Sequence, residues 1–384
     1  MVVHQHLETI QVKSSLFDYD IIVGRNIVGA DLSRAIEVTG VDPGGNIVVV
    51  TDDGVDSCFP QLPLLPRASH RLVLKQGEHL KTFANTESIV ERLAEWKVAR
   101  DGLLVAFGGG VIGDLTGFVA SIYLRGIAWV VAPTTLLSQV DSSIGGKVAV
   151  NLPVGKNLVG AFYPPRLVVS DISLLSSLPE SEFISGLGEV IKTAVIGDAH
   201  LFEFLEQRLD EVLARELDTL QYIVSACAKV KAGVVSWDER DTGKRTILNF
   251  GHTIAHALEK TSGGTRFIAS QLDTTERRKP LSGVPPHGIA VLYGILVALR
   301  LSEETCGLSS AIADRIRLLI KRLPIDLATI LPPIDLLEPF MVHDKKVQDS
   351  QIRWVLLKDL GRPVTGITIP NSQVQTAYKS LWDM

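Results

Sequence analysis

Three segments carry side chains whose types and spacing could do chemistry. His252 and His256 stand four apart in His252-Thr-Ile-Ala-His256, and on a helix that spacing puts both imidazoles on one face, within reach of one metal ion. Thr253 stands where a zinc protease carries its glutamate, so the protease motif is absent. Asn249 and Gly251 precede the pair, and His287 recurs in an isolated Pro-His-Gly. Glu189 sits in Gly-Leu-Gly-Glu-Val-Ile-Lys, an otherwise apolar stretch, with Lys192 three residues on and on the same helical face. A carboxylate on a core-facing helix needs a partner. A solvent-facing Glu189–Lys192 pair accounts for these two residues as well as a ligand role does. Histidine and glutamate together are a normal set for hydrolytic or Lewis-acid zinc.

The second segment, Phe107-Gly-Gly-Gly-Val-Ile-Gly-Asp114, follows an apolar run and opens a helical stretch. Glycines let a backbone approach a phosphate, and a helix N-terminus offers free N–H groups and a favourable dipole. The acidic residue usual about 20 positions further on in a dinucleotide finger is missing, because Pro133 and Thr134 stand there. Asp52 and Asp53 close an earlier run and could take a ribose hydroxyl. The third segment, Pro133 to Pro165, sets Asp141, Lys147, Lys156 and Asn157 among glycines and small hydroxyls. Cations in so apolar a setting fit a small polyoxygenated anion. Lys231, Arg245 and the pair Lys345-Lys346 add further positive charge.

The elements that must position these residues follow from length and pattern. The 384 residues suggest two domains at about 150 residues each, and 46% hydrophobic content supports a large core. Lys+Arg 38 against Asp+Glu 43 gives a net charge of −5, a poor balance for nucleic-acid binding, which needs clustered excess cations. The scattered Cys58, Cys227 and Cys306 form no CxxC pair, which argues for buried thiols rather than a disulfide framework or cysteine zinc site. The N-terminal residues lack a signal-peptide core, and the longest apolar stretch is too short to span a bilayer. A cytoplasmic protein without membrane partners is expected. Apolar runs at 8–12, 19–24, 46–53, 71–77, 103–110, 128–135 and 166–171 read as strands, with a helix over 81–100. Strand–helix alternation predicts an α/β domain with a parallel sheet over 1–175. Beyond it the pattern is mainly α-helical over 176–384, with only the run from Gln351 reading as extended. Residues 265–286 are polar and breaker-rich and read as a long loop.

In their order, GEHLKT, GGGVIGD, YLRG, PTTLLSQVDSSIGGK, GKNLVGAF, GLGEVIK, KRTILNFGHTIAHALE, PHGIAV and HDKK resemble the 3-dehydroquinate synthases, within the wider sugar-phosphate cyclase family. The resemblance runs from about Gly77 to Gly361. It implies an N-terminal nucleotide-binding α/β domain and a C-terminal α domain with the active site between them. It also implies Glu189, His252 and His287 as ligands of zinc or cobalt, which makes His256 a substrate and proton-transfer residue instead of a ligand. NAD would be held by Asp53, Glu78, Lys81, Gly109, Gly110, Asp114, Thr134, Thr135, Lys147, Lys156 and Ser177. Asp141, Lys147, Asn157, Lys192, Lys231, Arg245, Asn249 and Lys346, preferred over Lys345, would line the substrate site. Arg125 would reach the substrate phosphate of a neighbouring subunit, which implies a homodimer.

The implied reaction converts 3-deoxy-D-arabino-heptulosonate 7-phosphate to 3-dehydroquinate and phosphate. A secondary alcohol is oxidised, phosphate is eliminated, the ketone is reduced again, and ring opening with an aldol closure follows. Rival readings are a cyclase for another sugar phosphate, a metal-dependent alcohol dehydrogenase, and an inactive homologue. Arg245 favours a substrate that carries a carboxylate, and the lysine set disfavours the dehydrogenase. The chain departs from the family pattern at Ser177, Ala255 and Ile289, and 34 residues separate His252 from His287, a longer gap than the pattern implies.

Overall fold

The computed structural model describes residues 7–30, 32–38, 46–61, 68–262, 285–325, 331–342, 347–348 and 351–383. All seven runs expected to be strands form one sheet. They are β1 (Glu8–Val12), β2 (Tyr19–Gly24), β3 (Ile47–Asp52), β4 (Ala68–Leu74), β5 (Leu103–Gly108), β6 (Ala128–Pro133) and, after an intervening hairpin, β9 (Leu167–Asp171). The order is β1-β2-β9-β6-β5-β3-β4, antiparallel only between β1 and β2. β3 and β5 are buried at every position, as befits central parallel strands covered on both faces. β4 lies on one side of β3 and β5 on the other. The chain therefore reverses its direction of travel at β3/β5, and the carboxyl ends of these two strands form the crevice where α/β sheets bind ligands. The hairpin consists of β7 (Lys147–Leu152) and β8 (Gly155–Phe162), in the glycine-rich stretch that the sequence marked for its cations.

The chain divides into two compact units, and the division is not a single cut. The first holds residues 1–179 and 210–242, the second 180–209 and 243–384. The helix Leu217–Trp237, which lies beyond the sequence boundary at 175, packs on β1, β2 and the wide turn Ser138–Ser142. In the second unit the helix His287–Cys306 is central and packs against Glu180–Gly197, His252–Ser262 and the strand Trp354–Asp359. That strand pairs with Arg362–Ile367, extending the single run that the sequence marked there.

One smaller expectation is corrected. Of the cysteines only Cys227 is buried, while Cys58 is exposed and Cys306 intermediate, since Cys58 ends a surface helix with no buried residue. His70 stacks on Trp96 at 4.3 Å and 3°, where the flat imidazole covers the indole face. The expected loop at 265–286 falls largely outside the described residues, as do Lys345 and Lys346.

Candidate active site

In the second unit three helices each deliver one donor. Glu189 lies in Glu180–Gly197, His252 opens His252–Ser262, and His287 opens His287–Cys306. Glycines allow the helices to come close enough. A Cβ at Gly288 would stand 1.7 Å from the Ser185 carbonyl oxygen, and one at Gly188 2.2 Å from that of Gly288. Gly251, at φ +78°, turns the chain into the His252 helix while a Cβ at Gly294 would lie 1.8 Å from its oxygen. That left-handed backbone suits glycine. Each of these contacts adjoins a donor in sequence, so backbone-to-backbone packing brings the three donors together.

Glu189 Oε1 lies 3.4 Å from Nε2 of His252 and 3.3 Å from Nε2 of His287. Donors bound about 2.0–2.1 Å from a tetrahedral ion stand roughly 3.3 Å apart. All three ligand atoms lie within 4.8 Å of one another. Glu189 is fully buried, and its Oε1 faces both imidazoles; a buried carboxylate turned toward two ring nitrogens fits a cation between them. Lys192 Nζ contacts Oε2, which makes this pair buried and not solvent-facing. Burial alone would raise the Glu189 carboxyl, but the charge of Lys192 and the proximity of His287 outweigh it and hold the group down at about 2.

Around this centre His252 Nδ1 lies 3.1 Å from the Phe250 carbonyl oxygen, and His287 Nδ1 lies 2.9 Å from Glu259 Oε1. Burial lowers the His287 pKa, yet Glu189 and Glu259 overcome it and raise the imidazole to about 10. Sequence reasoning missed Glu259, although its place one turn beyond His256 and two beyond His252 was readable as one helical face. His256 stands outside the donor set, its ring edge-on to His252 at 5.3 Å. Arg245 is buried and Asn249 half-buried, both in the turn Lys244–Asn249 of the same unit.

The first unit gathers a separate group. Gly109 caps the helix Gly110–Ile122 directly after β5. A cleft enclosing about 310 Å³, open solvent included, is lined by Gly109, Gly110, Asp114, Ser138, Ser142 and Lys147 among others. Lys81, 3% exposed, donates to Asp114 Oδ2 at 2.7 Å and to Asn157 Oδ1 at 2.6 Å. Asn151 donates to Glu78 at 2.7 Å. This network ties the hairpin to the Gly110–Ile122 helix, with Asn157 in the left-handed region at φ 54°, which asparagine tolerates. Burial raises the Asp114 carboxyl despite the nearby Lys81.

Asp53, at the carboxyl end of β3, accepts from Gln76 N and Lys75 Nζ, and Lys75 holds its carboxyl below the usual range. Thr134 N donates to the Gly108 carbonyl oxygen at 3.0 Å, and Thr135 Oγ1 caps Ser138 N. Lys231 pairs with Asp141 at 2.7 Å, and Lys147 with Asp241 at 2.5 Å. Arg125, Lys156 and Ser177 are exposed, and among the described residues their side chains make no hydrogen bond to the other expected site residues. Arg125 and Leu124 adopt consecutive left-handed conformations at φ 66° and 48°.

Comparison with known proteins accords with this geometry. The 3-dehydroquinate synthase N-terminal family matches residues 71–185 and the 3-dehydroquinate synthase C-terminal family residues 186–270. The 3-dehydroquinate synthase of Acidithiobacillus ferrooxidans is 41% identical over 339 residues, covering 86% of this chain and 88% of that protein. Among solved structures, 2-epi-5-epi-valiolone synthase from Streptomyces hygroscopicus with NAD+ and Zn2+ bound superposes with a TM-score of 0.80 at 21% identity, covering 98% of this chain and 99% of that one. A 2-deoxy-scyllo-inosose synthase complexed with carbaglucose-6-phosphate, NAD+ and Co2+ gives 0.77 at 24% identity, over 97% and 99%. These two likenesses speak to fold, whereas the sequence matches cover both of the family's domains and, for the relative, 86% of this chain. The chain belongs to the 3-dehydroquinate synthase family.

Proposed function

We propose that the chain is a 3-dehydroquinate synthase, converting 3-deoxy-D-arabino-heptulosonate 7-phosphate to 3-dehydroquinate and phosphate. The observation that carries this reading is the Glu189–His252–His287 donor set, buried at Glu189 and His252 and half-buried at His287, in a chain 41% identical to a synthase of that name. The donor types, their spacing and the buried carboxylate fit a divalent ion, Zn2+ or Co2+, which Glu189, His252 and His287 would hold. NAD would be held by Asp53, Glu78, Lys81, Gly109, Gly110, Asp114, Thr134, Thr135, Lys147, Lys156 and Ser177. When bound, the metal supplies a Lewis acid that lowers the pKa of a hydroxyl, and the nicotinamide supplies a reversible hydride acceptor.

The remaining work falls to the chain's own residues. Gly109 and Gly110 present N–H groups of a helix N-terminus to a pyrophosphate, and Asp53 accepts from ribose hydroxyls at the strand-order reversal. Lys81 acts by holding Asp114 and Asn157 in place. Lys147, Lys192, Lys231, Arg245 and Lys346 offer cations to the substrate phosphate and carboxylate, and cations on a departing phosphate lower the cost of its release. Asp141, Asn157 and Asn249 bond substrate hydroxyls, and His256 transfers a proton. Arg125, exposed and on a backbone turned into the left-handed region, reaches the substrate phosphate of a second subunit in a cytoplasmic homodimer.

The test is phosphate release from the heptulosonate phosphate with NAD and zinc, with absorbance at the NADH band followed in the same cuvette. Phosphate with dehydroquinate and no accumulated NADH is the expected result. No phosphate would overturn the assignment, and accumulating NADH would mark a dehydrogenase.

A further inference from the structure

We infer that Glu259 is a positioning residue of the metal centre, holding His287 through Nδ1 so that Nε2 is the nitrogen presented to the ion. The inference rests on the reading of Glu189, His252 and His287 as ligands and adds a residue outside that set. A neutral imidazole carries one N–H, and the partner of one nitrogen decides where the lone pair lies. Glu259 Oε1 is 2.9 Å from His287 Nδ1, and Nε2 of the same ring faces Glu189 Oε1 at 3.3 Å. His252 shows the same arrangement with a different anchor, since the Phe250 carbonyl oxygen lies 3.1 Å from Nδ1 and Nε2 faces Glu189 at 3.4 Å. Both rings therefore aim the same nitrogen at one carboxylate oxygen.

The anchor for His287 has to come from another element. His287 is the first residue of its helix, and Gly288, Ile289 and Ala290 offer no polar side chain. The helix cap, Pro286, makes no side-chain bond. Glu259 reaches across from the helix His252–Ser262, with 16% of its side chain exposed. It thus joins the helix that bears one donor to the residue that supplies another. A carboxylate on the far nitrogen of a ligating histidine orients the ring and makes it a stronger donor, and removing such a partner typically weakens metal binding 10–100-fold.

The test compares wild type with Glu259→Gln, Glu259→Ala and His287→Ala, each stripped of metal and checked for folding by far-UV circular dichroism. Zinc affinity is read by competition with a chelator, and ligand geometry by the visible absorption of the Co2+-substituted protein. Glu259→Gln, which keeps shape but loses charge, is expected to weaken zinc about 10-fold and Glu259→Ala up to about 100-fold, both with a changed cobalt spectrum. Unchanged affinity and an unchanged spectrum in both variants would overturn the inference while leaving the ligand assignment in place. If His287→Ala bound zinc as tightly as wild type, the ligand assignment itself would fall. Should Glu259→Ala fail to fold, the isosteric Glu259→Gln decides by the same two readings.

Discussion

Glu189 is fully buried, and its charge is kept by neighbouring side chains where most carboxylates rely on water. Without metal, the two carboxylates that flank His287 raise its imidazole from 6.5 to about 10. A raised pKa adds stability that is fully present below 6.5 and is lost as pH climbs through about 10. The metal-free protein should therefore lose stability across that window. A metal needs the neutral ring, so zinc uptake near pH 7.5 should expel a proton from His287, and zinc affinity should rise over the same range. Calorimetric titration of metal-free protein in buffers of different ionisation enthalpy checks this. Heats that do not vary with the buffer would contradict it.

At the scale of elements, the donors meet because helices touch at glycine. Gly288→Ala would push a Cβ into the Ser185 carbonyl, and overpacking of this kind costs about 1–3 kcal/mol. The expected result is a lowered denaturation midpoint together with weakened zinc binding, since the displaced helix begins at His287. Gly233→Ala is the contrast, because its Cβ meets nothing within 4 Å inside the helix Leu217–Trp237, and alanine is the better helix former. It should be neutral or slightly stabilising, and an equal loss in both variants would refute the close-approach argument. The sheet was legible in advance because β3, β5 and β6 are rich in Val, Ile, Leu and Ala, and strands buried on both faces read as near-continuous apolar runs. The hairpin 147–162 was not, since its second strand, GKNLVGAF, is exposed or half-buried throughout and carries no alternating pattern. Its form depends on Lys81 bonding Asn157, a contact between residues 76 apart in sequence.

For the whole molecule, the proposed NAD and zinc sites fall in separate units, and ligand binding should stabilise each locally. In hydrogen exchange followed by mass spectrometry, NAD alone is expected to slow exchange in the Gly110–Ile122 helix and in the β7–β8 hairpin. Zinc alone should slow it in the helices that begin at Glu180, His252 and His287. Protection by zinc confined to the first unit would refute the ligand set.

The sequence by itself determined the local periods, and with them the strands, most helices and the class of fold. It also determined the inventory of donors and cations, and an order of motifs specific enough to imply the family. Only the tertiary structure decided which donors meet. Glu189, His252 and His287 lie far apart in the chain, and nothing in a local period pairs them; backbone contact at Gly188, Gly288, Gly251 and Gly294 does. It also decided that Lys192 is a buried partner of Glu189, that Glu259 holds His287, and that the helix Leu217–Trp237 packs with the sheet. Each of these rests on close packing between distant segments, and packing depends on shapes in three dimensions that sequence spacing does not encode.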